Sequence, residues 1–181
     1  MKGMIKIMEN LRLIKLLGEN DYKLFESIFR EFEKAPFFEK WSDIEILEEF
    51  REFLITGKMF CYDNKGLMNI QFNKRKNETL PFDEWGNYIY LSDIVVLENA
   101  RCRGIGSNMF DYLIDYANSE NYESIYFRTN LTGSMSESIG QKRGFVIVRD
   151  SSNKIITDEV SFLRQNGLVE TDIRKYLVKK L

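Results

Sequence analysis

The residue types best suited to chemistry lie in one short loop, whose sequence is Arg101-Cys102-Arg103-Gly104-Ile105-Gly106-Ser107. Two glycines separated by one residue allow the backbone to come close to a ligand. The helix predicted after the loop begins with N–H groups that lack partners within the helix, and together with the helix dipole they favour an anion such as a diphosphate. Arg101 and Arg103 add charge-assisted hydrogen bonds. The loop therefore predicts an anion site; the alternative is that its glycines only permit a tight turn.

Two common phosphate-binding loops do not fit this segment. A P-loop requires Gly-Lys-Ser/Thr, which does not follow the first glycine. The dinucleotide fingerprint requires a third glycine, but Gly104-Ile105-Gly106 is followed by Ser107-Asn108-Met109. Neither of these two loop classes is therefore predicted.

The sequence contains no histidine. This excludes Ser-His-Asp and Cys-His nucleophile pairs and histidine-ligated zinc, and it removes the commonest general base near neutral pH. Acid–base chemistry must then use carboxylates, tyrosine, thiol or ordered water. The two cysteines, Cys61 and Cys102, are too few for a disulfide scaffold, and no metal site is predicted.

Composition and charge suggest an ordinary globular protein. The chain has 181 residues, 44% of them hydrophobic and 30% charged, so one domain covering residues 1–181 is expected. A net charge of −2 gives no overall attraction to nucleic acid or to an anionic membrane. No apolar run is long enough to span a bilayer, and the charged N-terminus has no signal-peptide core. The default expectation is a soluble cytoplasmic protein that binds neither nucleic acid nor membrane.

The elements around the loop predict a βαβ unit. A β-rich run at Tyr88–Val96 precedes the loop, a helix with its apolar residues on one side follows it, and a strand at Ser124–Phe127 comes next. The two strands should be parallel with a right-handed crossover. The whole chain is predicted to be α/β with a mixed sheet.

The remaining elements follow from the same periodicities. Before the unit, the pattern predicts a strand at 11–17, helices at 21–33 and from Ser42 onward, and hairpin strands at 59–63 and 67–72. After it, the pattern predicts a short helix from the capping box Ser134–Glu137 to Gly144 and strands at 145–148 and 159–163. A terminal amphipathic helix, Asp172–Leu181, has Ile173, Tyr176, Leu177 and Leu181 on one face.

Two motifs in this order resemble a known family. The segment from Val96 to Ser107 resembles the acetyl-CoA-binding motif of the GNAT (acyl-CoA N-acyltransferase) superfamily, an Arg/Gln-x-x-Gly-x-Gly/Ala loop after a hydrophobic strand. Asn130 and Lys142-Arg143-Gly144-Phe145 are similar to that family's later motif. The resemblance covers about residues 8–165, so the terminal helix at about 170–181 would be an extension.

The resemblance implies a fold and an activity. The fold would be α/β, with a mixed, mostly antiparallel central sheet, flanking helices and a central parallel βαβ unit. The activity would be transfer of acetyl from acetyl-CoA, as co-substrate, to a primary amine by direct attack. It further implies that Ile94, Val95 and Val96 offer main-chain groups to the pantetheine arm, that Cys102 to Ser107 hold the pyrophosphate, and that Asn130 hydrogen-bonds the cofactor.

The catalytic groups are less clearly indicated. The resemblance suggests a backbone N–H near Ile94 as donor to the oxyanion. Asp93 is the only carboxylate of its strand and is one candidate base; the alternative is that it caps a bulge or faces solvent. Tyr126 on the next strand is the other candidate, with core packing as its alternative role. The family often has a tyrosine four residues before the Gly-Phe glycine, which protonates the departing thiolate. In this sequence that position is Gly140.

The acceptor and partners stay open at this level. Small-molecule and protein amines are both possible acceptors. The acidic run in the first two helices could attract a cationic amine or could be a solvated face. The terminal helix could pack on its own sheet or on a second subunit, giving a homodimer. The competing functional hypotheses are a catalytically inactive acyl-CoA-binding sensor and an interaction domain of the same fold.

Overall fold

The computed structural model describes residues 13–34, 40–72, 86–163 and 169–181. The strands are β1 (Ile14–Leu16), β2 (Gly57–Tyr62), β3 (Gly66–Phe72), β4 (Tyr88–Val96), β5 (Ser124–Asn130), β6 (Val146–Ile147), β7 (Thr157–Leu163) and β8 (Val169–Lys180). The α-helices are α1 (Tyr22–Phe29), α2 (Asp43–Thr56), α3 (Ile105–Ser119) and α4 (Met135–Gln141). Short 3₁₀ helices cover Glu19–Asp21, Arg30–Lys34 and Glu98–Ala100.

The strands form one mixed sheet in the order β1-β2-β3-β4-β5-β8-β6, with β7 also paired to β8. Every named pairing is antiparallel except β4–β5, which is parallel and is connected through α3. The predicted α/β class, the mostly antiparallel sheet and the central parallel βαβ unit are therefore confirmed.

Apolar residues pack on both faces of this sheet. Helix α3 contributes Met109, Phe110 and Leu113 to a cluster on the first face, which we call the α3 face. Helices α1 and α2 cover the opposite face, the α1–α2 face, where their phenylalanines pack against β2, β3 and β4. The members of this second cluster include Phe25, Ile28, Phe29, Phe50, Phe53, Met59, Leu67 and Val95. Burial on two faces explains why the central strands are rich in hydrophobic residues throughout their length.

The prediction of a terminal helix at 170–181 was wrong, because this segment is strand β8. Tyr176, Leu177 and Val178 are all buried, since the two faces of this inner strand both contact core. The apolar residues Ile173, Tyr176, Leu177 and Leu181 happen to have the spacing of one helix face, and periodicity alone does not separate a buried strand from a helix here. The helical stripe that suggested a homodimer therefore does not exist.

The two capping boxes behave differently. The Ser42 hydroxyl accepts the Glu45 amide and the Glu45 carboxylate accepts the Ser42 amide, which completes the box at the start of α2. At α4, Ser134 accepts the Glu137 amide, but the Glu137 carboxylate lies 3.0 Å from Lys175 Nζ instead. This buried ion pair joins α4 to β8.

Across the described ranges, no helix combines the length and apolar character that a membrane crossing needs.

Candidate active site

A cleft opens where β4 and β5 separate. The two strands pair only through Tyr88–Tyr90 and Ser124–Tyr126, and beyond these residues no described strand lies between them. The resulting cavity has a volume of about 620 Å³. Its lining comes from β4 (Leu91, Ser92, Asp93, Ile94), from β5 and the residues after it (Phe127, Arg128, Thr129, Asn130, Leu131, Thr132, Ser134, Ser136), from Phe32, and from β8 (Glu170, Thr171, Asp172, Ile173, Arg174).

A β-bulge at Ser92 determines where Asp93 lies. In the β3–β4 ladder Asn69 is opposite Asp93 while Ile70 is opposite Leu91, so Ser92 is an extra residue on β4. Without it, Asp93 would lie on the α3 face; with it, Asp93 lies on the α1–α2 face together with Asn69. Asn69 Nδ2 donates to Asp93 Oδ2 at 3.2 Å. The bulge thus brings the candidate base to the cleft wall with one oxygen oriented.

The open edge of β4 continues past this carboxylate. Ile94 lies on the α3 face, while the Val95 side chain is buried under α1 and α2. Beyond the paired residues of β4, alternate N–H and C=O groups point away from β3 toward the cleft. The Val96 carbonyl already accepts Arg101 Nε at 3.1 Å. An extended ligand could therefore pair with the main chain here, chiefly before Val96.

The loop after β4 forms a cluster of unpartnered amides. Gly104 has φ +80° and is the N-cap of α3, and Cys102 also has a positive φ of +61°. Among the described residues, none accepts a hydrogen bond from the amides of Gly104, Ile105, Gly106 or Ser107. A Cβ built on Gly104 would meet no atom within 4 Å, so the loop is open on that side. Successive free amides at a helix N-terminus are suited to a phosphate group.

The two loop arginines have different surroundings. Arg103 is exposed, and its side chain has no hydrogen-bond partner within the described ranges, which leaves it available to an anion. Arg101, expected to bind the anion as well, donates through Nη2 to Glu31 Oε1 at 3.0 Å and through Nε to Val96. Its side chain therefore connects the loop to the end of β4 and to the 3₁₀ helix that contains Glu31.

Glu31 is a site residue that sequence reasoning did not identify. It is 5% exposed, and its Oε1 also accepts the Glu98 amide at 2.9 Å. Lys34 Nζ lies 2.8 Å from Oε2, and this hydrogen bond raises the pKa of Lys34. Since Arg101 and Glu98 are some 70 residues away in the chain, no local pattern signals this role, and Glu31 was noted only as a member of the acidic run in the first two helices.

Residues of β5 divide between core and cleft. Tyr126 is 1% exposed and packs between Tyr88 and Tyr90, with ring centroids at 5.0 and 4.9 Å. It does not line the cleft, so its surroundings favour the packing role. Asn130 does line the cleft, and its buried Oδ1 has no donor among the described residues. An unsatisfied buried amide oxygen beside a cavity is well placed for a ligand.

Arg128, also on β5, is a second residue that sequence reasoning missed. Its Nε donates to the Tyr90 hydroxyl at 3.1 Å and its Nη1 to Asp158 Oδ2 at 2.5 Å, while the Tyr176 hydroxyl donates to the same oxygen. Burial disfavours the charged form, but Tyr90, Tyr176 and Asp158 outweigh it and raise the pKa of Arg128. The side chain therefore carries a permanent positive charge at the cleft wall.

Gly140 does not face the cleft. A Cβ at this position would lie 3.1 Å from Phe127 Cζ and 3.5 Å from Phe145 Cβ, so it points into the core between α4 and the sheet. The position that the resemblance associates with a proton donor is thus both a glycine and tightly packed.

Comparison with known proteins agrees with this architecture. The chain matches the acetyltransferase (GNAT) family over residues 22–145, more than half its length. It is 27% identical over 77 residues to GCN5-related N-acetyltransferase 6, chloroplastic, of Arabidopsis thaliana. That match covers 42% of this chain, and the chain spans only about a quarter (27%) of the plant protein.

Two solved structures share the fold. The N-acetyltransferase from Staphylococcus aureus Mu50 has a TM-score of 0.64 at 16% identity, with 92% of this chain and 96% of that chain covered. The putative acetyltransferase yncA from Salmonella typhimurium, solved with its cofactor acetyl-CoA, has a TM-score of 0.55 at 14% identity, with 93% and 92% covered. From the family match, supported by the separated parallel strands and the glycine loop, the chain belongs to the acetyltransferase (GNAT) family.

Proposed function

We propose that this protein is an acetyl-CoA-dependent N-acetyltransferase that acetylates a primary amine. The observation that carries the proposal is the pairing of two features at the carboxyl end of β4. One is a cleft between separated strands; the other is a row of amides at Gly104–Ser107 that have no acceptor in the described part of the chain. The first suits a thioester arm beside a strand, and the second suits its diphosphate.

Each part of the cofactor has a fitting partner. The pyrophosphate binds the amides from Gly104 to Ser107, with the exposed Arg103 adding charge. The pantetheine arm lies along Ile94–Val96 and pairs with main-chain groups like an added strand. Asn130 Oδ1, buried and unsatisfied, accepts a hydrogen bond from the arm. The coenzyme in the Salmonella structure supports acetyl-CoA as the co-substrate.

The chemistry is attack of a neutral amine on the thioester carbonyl. A C–N bond forms, the oxyanion accepts the backbone N–H near Ile94, and the C–S bond then breaks. Such a donor contributes about 3–4 kcal/mol by analogy with other oxyanion holes. An amine with a pKa of about 10.4 costs about 4–5 kcal/mol to deprotonate at pH 7. Asp93, oriented by Asn69, takes this proton directly or through a water molecule.

Departure of the thiolate needs no dedicated acid. A thiol with a pKa of about 8.5, by analogy with cysteine, is a tolerable leaving group near neutral pH. A proton from water completes the product thiol. The glycine at position 140 is therefore compatible with turnover. The lack of a tyrosine at this position is also what the competing sensor hypothesis is based on.

The test combines binding with turnover. Coenzyme A at 100 times its dissociation constant should stabilise the protein by about 2.7 kcal/mol in a thermal-shift experiment. Release of free thiol from acetyl-CoA should then depend on an added amine from a panel of small amines and peptides. Binding without any amine-dependent thiol release would support the sensor; absence of binding would support the interaction domain.

Gly104→Val links that binding to the loop. Its side chain would enter the open space beside the free amides, so we expect coenzyme A affinity to fall by more than about 100-fold. Gly144→Val is the matched control, because Gly144 has a nearly equal φ of +84° and a Cβ there would approach only Lys179 Nζ, at 3.3 Å. Both variants carry the same kind of backbone strain. Equal loss of affinity in both, or unchanged affinity in Gly104→Val, would contradict the loop assignment.

A further inference from the structure

Arg128 has hydrogen-bonding capacity that the described residues do not use. Its guanidinium commits Nε to Tyr90 and Nη1 to Asp158, and no described residue accepts from Nη2. Only 17% of the side chain is exposed, and Arg128 is one of the residues that line the cleft. A largely desolvated guanidinium with unused N–H groups is well suited to a second carboxylate.

The register places this guanidinium on the same face as the candidate base. Tyr90 and Tyr126 are neighbours in the parallel pair, and Arg128 follows Tyr126 by two residues, so it shares the α1–α2 face. The bulge at Ser92 puts Asp93 on that face of the opposite strand. The cleft therefore presents a carboxylate from β4 and a guanidinium from β5 on one side of the sheet.

Arg174, which also lines the cleft, differs from Arg128 in how its charge is paired. Arg174 Nε is paired with Asp172 Oδ2 at 2.6 Å on the same strand, which balances both charges locally. Arg128 also has an acidic partner, but Tyr176 donates to the same Asp158 oxygen and spreads its negative charge. The tyrosine rings and the aspartate also fix the guanidinium in one orientation, so little side-chain entropy is lost when a ligand binds.

We propose that Arg128 binds a carboxylate of the acceptor, so that the acceptor is a small amino acid, with its amine directed to Asp93. This inference rests on the proposed function and deepens it. A polyamine or other purely cationic acceptor would bring positive charge to a guanidinium that is already desolvated. A peptide N-terminus has an amide in place of the carboxylate beside its amine.

The decisive comparison uses the unmodified protein. Thiol release from acetyl-CoA is measured with a panel of L-amino acids and with the matching L-amino acid amides, which retain the amine and side chain. Conversion of the acid to the amide lowers the pKa of the amine. A larger fraction of the amine is then neutral at pH 7, and this effect alone would make the amide the better acceptor. We nevertheless expect kcat/KM to be at least about 10-fold higher for the free acids, mainly through KM, because charge-assisted hydrogen bonds are lost in the amide.

Variants assign the preference to Arg128. Arg128→Gln should remove the preference for acids over amides, whereas Arg174→Gln, in the same cleft, should retain it. The first change removes the guanidinium that lies beside Asp158. The double variant Arg128→Gln/Asp158→Asn therefore removes the charge of that carboxylate as well. Circular dichroism and thermal unfolding establish that each variant is folded.

The outcomes separate the two proposals. Equal kcat/KM for acids and amides, or a preference that survives in the folded double variant, overturns the inference and leaves the acetyltransferase proposal intact. Bound acetyl-CoA with no transfer to any amine in the acid, amide, polyamine or peptide sets overturns both. A preference for polyamines or peptides over free amino acids overturns the inference in favour of those acceptor classes.

Discussion

The proposed cofactor loop and the proposed acceptor cleft of this protein are built in opposite ways. The loop is a continuous segment of seven residues, Arg101–Ser107, which offers mainly backbone amides. The cleft is lined by side chains on β4, β5 and β8, contributed by segments far apart in the chain. A site made of backbone groups requires particular residue types at consecutive positions. A site made of side chains requires only that these side chains come together in the folded protein, wherever they lie in the sequence.

Each region nevertheless depends on an ion pair between distant segments. Glu31 braces the cofactor loop through Arg101, and Asp158 braces the acceptor wall through Arg128. In both cases the arginine is oriented by a second protein group. We therefore expect changes in the cleft to alter turnover or acceptor binding without changing coenzyme A affinity. Changes around the loop should alter coenzyme A affinity without changing kcat at saturating acetyl-CoA.

The largest effect is expected from Asp93→Asn. The amide keeps the shape of the side chain but does not accept a proton from the amine, so kcat should fall by about 10²–10⁴-fold. Coenzyme A affinity should remain within about twofold of the wild type, because the loop amides are untouched. Steady-state kinetics and calorimetric titration with coenzyme A measure the two quantities.

A matched carboxylate outside the cleft controls for this change. Asp115 on α3 is exposed and does not line the cleft, so Asp115→Asn should leave kcat and affinity unchanged. If Asp93→Asn kept full turnover, the base would have to be sought elsewhere, and the bulge at Ser92 would lose its proposed purpose.

A smaller effect, on coenzyme A affinity and not on kcat, is expected from Glu31→Gln. The neutral amide still reaches the Glu98 N–H but loses the charge that holds Arg101 and Lys34. We expect coenzyme A to bind about 10-fold more weakly, in line with residues that act on a site through another group. At saturating acetyl-CoA, kcat should stay within about twofold.

Glu33→Gln is the control for the previous change. Glu33 lies in the same 3₁₀ helix but bonds Arg30 and the Trp41 amide, with no contact to the loop. It should lower stability without changing coenzyme A affinity. Equal weakening of coenzyme A binding in both variants would mean that the 3₁₀ helix as a whole, and not the Glu31–Arg101 pair, positions the loop.

The same contrast explains what the sequence could predict. The strand, loop, helix and strand from Tyr88 to Asn130 were predictable because their periodicities and glycines are local. Helix α2 was predictable from Ser42 and Glu45, whose side chains complete its capping box. These features need no knowledge of the rest of the chain.

The errors and omissions arose where distant contacts decide the outcome. Strand β8 was mistaken for a helix because pairing with β5 on one edge, and with β6 and β7 on the other, overrides its local pattern. The contact between Arg101 and Glu31 has no local signature either, because the two residues are 70 positions apart in the chain. The face of Asp93 depends on a bulge, and the role proposed for Arg128 depends on Asp158; neither has a local signature.

The smallest effect on activity is expected from Gly140→Tyr, which restores the residue type that the family resemblance would place there. The added side chain starts 3.1 Å from the Phe127 ring and points into the core, so it does not reach the cleft without displacing α4. Overpacking of this kind destabilises proteins by about 1–3 kcal/mol. We therefore expect a lower melting temperature and no gain in kcat. A rise in kcat at unchanged stability would mean that a proton donor is missing from the native site, and that the cleft alone does not complete the reaction.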